Sequence, residues 1–226
     1  MKRTAIITGG GGFLGSAVVN KLKAYDFKLL GTAVSDREFK RLEDNGVQTT
    51  MLDLTNEPAV QEYISAVKED VEAAILIVGG FTAGGFKKTS GADLRKMYSL
   101  NFETAYFITR ALLSRFEERG GGQIILIGAR PALNPEEGKN LVAYSLSKNL
   151  VFYLAELINA YGKGKNITAT VIVPSTIDTR LNREAMPNAD FAKWVSPEAI
   201  ADAIHFVLTE SGQQLREGVI KMYNES

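Results

Sequence analysis

Apolar residues recur along the chain in two rhythms. Short apolar or β-branched runs stand at residues 4–8, 28–33, 47–52, 73–78, 123–127, 167–173 and 218–223. Between them, apolar positions repeat every three or four residues, as in Leu14, Val18 and Leu22, which is the spacing of one helix face. The run at 73–78 is apolar throughout, as expected of a parallel strand buried on both faces. Helices are predicted from Phe13, over 59–68, as one long helical region through Met97 and Phe116 to the stop at Gly120, over 141–161, and after Ser196-Pro197. Strands alternating with helices predict an α/β fold: a doubly wound, mostly parallel sheet of about seven strands, with helices on both faces. No linker, repeat or low-complexity stretch interrupts it, so residues 1–226 are read as a single domain. Loops at 79–92, 128–140 and 174–196 leave the carboxyl ends of the fourth, fifth and sixth strands, the edge where open α/β sheets bind ligands.

Composition narrows the function. The net charge is zero, with 26 basic and 26 acidic residues, so neither nucleic acid nor an anionic membrane is expected as a partner. No apolar run is long enough for a bilayer, and the start enters a strand without a signal-peptide pattern. The absence of cysteine excludes disulfides, thiol catalysis and thiolate metal sites and agrees with a cytoplasmic location. The single histidine, His205, lies in a helix-like stretch and is read as packed or surface-facing, so no metal is expected. The helix at 141–161 is apolar or aromatic nearly all round, which favours burial of a second face in a homodimer or homotetramer.

Two patterns carry candidate chemistry. The strand at 4–8 runs into Gly9-Gly10-Gly11-Gly12 and then a helix, an arrangement that lets backbone amides and the positive helix end hold a pyrophosphate. An acidic residue ending the second strand would bind an adenosine ribose and favour NAD. Here Ala33, Val34 and Ser35 stand there instead. Ser35 and Arg37 can hydrogen-bond a 2′-phosphate, which leans towards NADP(H) over NAD(H); the alternative is that Asp36 caps the following helix and Arg37 is solvated. Tyr144 and Lys148 are four residues apart and share a helix face. A nearby ammonium is expected to draw the phenol down from its usual pKa of roughly 10, making Tyr144 a proton donor or acceptor.

With these motifs in place, the chain resembles the short-chain dehydrogenase/reductase family, whose fold is the Rossmann fold. Thr8-Gly9-x-x-Gly12-x-x-Gly15 fits the family's cofactor fingerprint, with Phe13 and Leu14 inside it. The resemblance implies that Asp53-Leu54 meets the adenine and that Gly79 and Gly80 line the cofactor. It further implies that Pro174, Ile177 and Thr179 belong to the loop holding the nicotinamide carboxamide, although Ser175 replaces a usual glycine. Asn101, Tyr144 and Lys148 match the family's proton-relay asparagine and catalytic dyad. Ala129 stands where the family's catalytic serine belongs.

That alanine, the segment Val78-Gly79-Gly80-Phe81-x-Ala83-Gly84-Gly85, and the stretch from Asn182 to Trp194 resemble the dihydropteridine reductase branch of the family. The resemblance implies hydride transfer from NAD(P)H to a conjugated acceptor such as quinonoid dihydropterin. Tyr144 would give the proton, and Phe81, Ala129 and Arg130 would lie at the substrate. Phe81 stands where that branch has tryptophan, and the branch's NADH-selecting acid is absent at Ala33. Alternatives are a reductase of another carbonyl substrate, a catalytically weak NAD(P)-binding sensor or scaffold, and an interaction module built on the 180–194 loop.

Overall fold

The computed structural model describes residues 2–225. Its strands are β1 (Thr4–Thr8), β2 (Lys28–Ala33), β3 (Gln48–Met51), β4 (Val71–Leu76), β5 (Gly122–Ile127), β6 (Ile167–Pro174) and β7 (Val219–Met222). They form one sheet in the order β3-β2-β1-β4-β5-β6-β7, with every adjacent pair parallel. The chain winds outward from β1 to β3, then restarts beside β1 with β4 and winds the other way. The reversal between β1 and β4 opens a crevice at the strands' carboxyl ends.

The helices are α1 (Phe13–Ala24), α2 (Asp36–Asp44), α3 (Glu57–Ala66), α4 (Gly91–Tyr98), α5 (Thr104–Arg119), α6 (Pro135–Gly138), α7 (Val142–Gly162), α8 (Arg180–Ala185) and α9 (Pro197–Leu208). Successive strand residues point to opposite faces, and both faces are apolar. Ile6, Leu30, Ala74, Ile124 and Val171 pack with residues of α3, α5 and α7. Ala5, Ile7, Leu29, Ile75 and Ile172 pack with residues of α1 and α9. Each fully buried aliphatic or aromatic side chain contributes roughly 1.5–3 kcal/mol, so the two cores hold the strand ends rigidly beneath the loops.

Most element ends fall within one or two residues of the sequence expectation, and three differences bear on the site. β4 starts at Val71 rather than residue 73 and ends at Leu76. The N–H groups of Ile77 and Val78 leave the ladder and donate to Thr8 Oγ1, at 3.1 and 3.4 Å. The expected long helix is divided into α4 and α5 by a π-helical turn, Ser99–Glu103. One extra residue in a turn does not disturb a hydrophobic period enough to be read from it. The loops at 128–140 and 174–196 carry α6, α8 and two single-turn 3₁₀ segments, Arg130–Ala132 and Phe191–Lys193, all too short to show a period.

Candidate active site

The glycine turn is shaped by close approach. Gly9 has φ +68°, a left-handed conformation that glycine adopts without penalty. Gly15 passes so near the turn that an added Cβ would lie 2.0 Å from the Gly9 carbonyl oxygen. Gly12, the N-cap of α1, provides no side-chain cap, and the first turn of α1 holds no acidic residue. Amide groups and the positive helix end are therefore left for an anion, and a dinucleotide's pyrophosphate fits this cradle. Thr8 is buried, and its hydroxyl ties β1 to the chain after β4. Phe13 is exposed, whereas Leu14 points into the core, so only its backbone is available to a ligand.

The next two strand ends are built from local caps. Ser35, not Asp36, caps α2, accepting from the Glu38 N–H at 3.3 Å, and Arg37 is exposed on the first helical turn. The Glu38 carboxylate accepts from the Val34 N–H at 3.2 Å. Asp53 accepts from the Thr55 hydroxyl and N–H, at 2.7 and 2.9 Å. Those two bonds hold its carboxyl below the usual range. The Leu54 side chain is core.

Deeper in the crevice the polar groups share partners. Asn101 lies in the π turn and is 1% exposed. Its Nδ2 donates to the Gly80 carbonyl at 3.1 Å and to Ser147 Oγ at 2.9 Å, while its Oδ1 accepts from the Gly80 N–H at 2.8 Å. Ser147 Oγ in turn donates to the Tyr144 carbonyl at 2.8 Å. A Cβ on Gly79 would fall 2.5 Å from Asn101 Oδ1 and 3.2 Å from Lys148 Nζ. Lys148 is buried, and its Nζ donates to the Ile127 carbonyl at 2.8 Å. Burial lowers the ammonium to about 8. A buried cation held only by neutral dipoles is costly, and such groups concentrate at functional sites.

Tyr144 corrects one expectation. Its phenol is not drawn down by Lys148; burial pushes it up to about 12. The ammonium is turned to Ile127, and loss of hydration outweighs any attraction to the phenolate. The Phe81 ring stands edge-on to Tyr144, with centroids 5.0 Å apart and planes at 68°. Ala129 is buried at the end of β5 and brings a methyl where a hydroxyl was the family expectation.

A family model described as short chain dehydrogenase matches residues 3–190. The chain belongs to this family. It is an oxidoreductase of the NAD(P)-dependent short-chain type. It is 26% identical over 225 residues to an acetoacetyl-CoA reductase of Rhizobium meliloti (strain 1021), covering 93% of this chain and 92% of that protein. It is 25% identical over 228 residues to a dihydropteridine reductase of Dictyostelium discoideum, covering 96% and 93%. The solved structure of ElxO with NADP bound superposes with a TM-score of 0.89 at 20% identity, covering 98% of this chain and 97% of that one; this likeness is one of fold.

Within this short-chain dehydrogenase, several expected residues lie outside the central network. The Arg130 guanidinium bonds Glu137 through Nε at 2.9 Å and lies over the Tyr223 ring at 5.4 Å. Pro174 ends β6, and the Ser175 hydroxyl donates to the Tyr223 carbonyl at 2.9 Å. The Ile177 carbonyl accepts from Asn182 Nδ2 at 2.8 Å, and Thr179 caps α8. Trp194 is buried, with Phe191 packed on it at 4.8 Å, so the end of the 174–196 loop is anchored. Two residues were missed in sequence reading. Ser147 is a polar position in an apolar helix, three after Tyr144. Glu38 follows Ser35 by three, the spacing of a capping box.

Proposed function

We propose that this oxidoreductase reduces a flat, conjugated acceptor, quinonoid dihydropterin being the substrate that best fits, with Tyr144 as proton donor. The observation that carries this reading is Phe81 standing edge-on to Tyr144 at 5.0 Å, which sets an aromatic side chain beside the proposed donor. Tyr144, with burial holding its phenol near 12, keeps its proton at neutral pH, as a donor for reduction must. A nicotinamide cofactor supplies the hydride when bound. The glycine turn, Asp53, Gly79, Gly80 and the 174–179 segment are the groups proposed to hold it, with Lys148 at the nicotinamide ribose. Asn101 and Ser147 position α7 against Gly80. A conjugated imine needs hydride and a proton more than it needs a polarising hydroxyl, which agrees with the methyl of Ala129. Orientation of the two reactants supplies much of the rest, up to roughly 7–11 kcal/mol.

Ketone reduction is the second reading, supported by the likeness to acetoacetyl-CoA reductase and opposed by Ala129. Arg37 favours a 2′-phosphate on the cofactor, the lean towards NADP, and Glu38 disfavours one. Leu146, Tyr153, Leu157 and Tyr161 on α7 are all exposed, as are Tyr98 on α4 and Tyr106 on α5. This apolar surface supports assembly as a homodimer or homotetramer, which light scattering reads directly. The deciding assay follows NAD(P)H oxidation with quinonoid dihydropterin and, separately, with a β-ketoacyl thioester. The proposal expects turnover of the pterin at least roughly tenfold more efficient in kcat/KM; a preference for the thioester by that factor overturns it.

A further inference from the structure

We propose that Glu38 selects against a 2′-phosphate on the cofactor, so that the enzyme prefers NAD(H) although β2 ends without an acidic residue. The inference rests on the dinucleotide reading of the glycine turn and concerns its adenosine end. In a doubly wound sheet the adenosine ribose lies between that turn and the end of the second strand. Here Glu38 joins those two places. Its carboxylate accepts from the Val34 N–H at 3.2 Å, one residue beyond β2. Its stem covers Gly11, where an added Cβ would meet Glu38 Cβ and Cγ at 3.0 and 3.1 Å. The side chain thus returns from the first turn of α2 to the position that a strand-end acid would fill.

Two consequences follow for the ligand. The Val34 N–H, a donor that a 2′-phosphate would seek, is already occupied by a carboxylate. The carboxylate itself repels a phosphate dianion, and like charges set against each other are a strong means of rejecting a wrong partner. A ribose diol, in contrast, donates hydrogen bonds to the same carboxylate. Ser35 accepts the Glu38 N–H as the cap of α2 and keeps its O–H to donate, but as a neutral group it does not offset the carboxylate's charge. Arg37 is one position before Glu38, about 100° round the helix, and exposed. Arg41 donates from Nη1 to the Gly11 carbonyl at 2.7 Å, bracing the turn from the same helix.

The test is direct binding of NAD⁺ and NADP⁺ by calorimetry to the wild-type protein, Glu38→Gln and Glu38→Ala. Glu38→Gln retains an acceptor for the Val34 N–H, so α2 keeps its start, and circular dichroism checks the fold of both. NAD⁺ is expected to bind at least roughly tenfold tighter than NADP⁺ to wild type, and both variants to narrow that ratio by about tenfold through tighter NADP⁺ binding. Equal or tighter binding of NADP⁺ to wild type, or a ratio unchanged within about twofold in both variants, overturns the inference and leaves the dinucleotide site standing. Failure of both dinucleotides to bind wild type overturns the dinucleotide reading, and this inference with it.

Discussion

The two ends of the crevice are built on different principles. At the adenosine end, Ser35, Glu38 and Asp53 each satisfy backbone groups within a few residues of themselves, and they sit near solvent. At the reacting end, Asn101, Ser147 and Lys148 are buried and reach across the fold, joining the β4 loop, the π turn, α7 and the end of β5. Local caps can be altered singly at small cost, and the effects add. A shared buried network fails as a unit, because each lost partner strands another in a low-dielectric interior. On the proposed function, one end tunes which cofactor is held, and the other decides whether chemistry occurs.

That contrast can be broken by substitution. Tyr144→Phe is expected to lower kcat by about 10²–10⁴ with little change in melting temperature, as loss of a proton donor should; stopped-flow turnover and a thermal scan measure both. Lys148→Met is expected to lower turnover strongly yet stabilise the fold at pH 7, by roughly 3 kcal/mol. The sign follows from the lysine's pKa, about 8 when folded against 10.5 as a free side chain. Between those values the unfolded chain holds a proton that the folded one has released, so wild-type stability rises with pH. The advantage of Lys148→Met is therefore full below pH 8 and shrinks towards pH 10.5, which urea denaturation across that window will show. Asn101→Ala leaves both backbone groups of Gly80 without their side-chain partner. It is expected to cost about 2–3 kcal/mol, or roughly 4–12 °C in Tm for a chain of this size. Ser35→Ala, at the other end, is expected to cost only about 1 kcal/mol through the lost cap. If Ser35→Ala proves as damaging as Asn101→Ala, the division between the two ends does not hold.

The same division explains what could be read from the chain. The alternation of strands with helices and the glycine turn were legible because apolar runs and glycine punctuation are local signals. A closing edge strand at 218–223 followed from pattern, its parallel pairing did not, and the grouping of Asn101, Tyr144 and Lys148 was implied by the family resemblance. The π turn at Ser99–Glu103 was not legible, because one extra residue in a turn leaves the apolar spacing almost unchanged. The raised phenol of Tyr144 was misread for a related reason. Spacing on a helix reports that Lys148 is near, but not that its ammonium is turned to Ile127 and that burial dominates. Glu38 was visible as the third residue after Ser35, yet its place over Gly11 depends on how α2 packs against the glycine turn.

The central claim is that a site with a methyl at Ala129 is complete for its acceptor. Measuring kcat/KM for quinonoid dihydropterin in wild type and Ala129→Ser tests it most directly. The restored hydroxyl should leave the pterin reaction unchanged within about twofold, because the acceptor asks only for hydride and the Tyr144 proton. A gain of roughly tenfold or more would mean that the site lacks a group its chemistry needs, and would contradict the account.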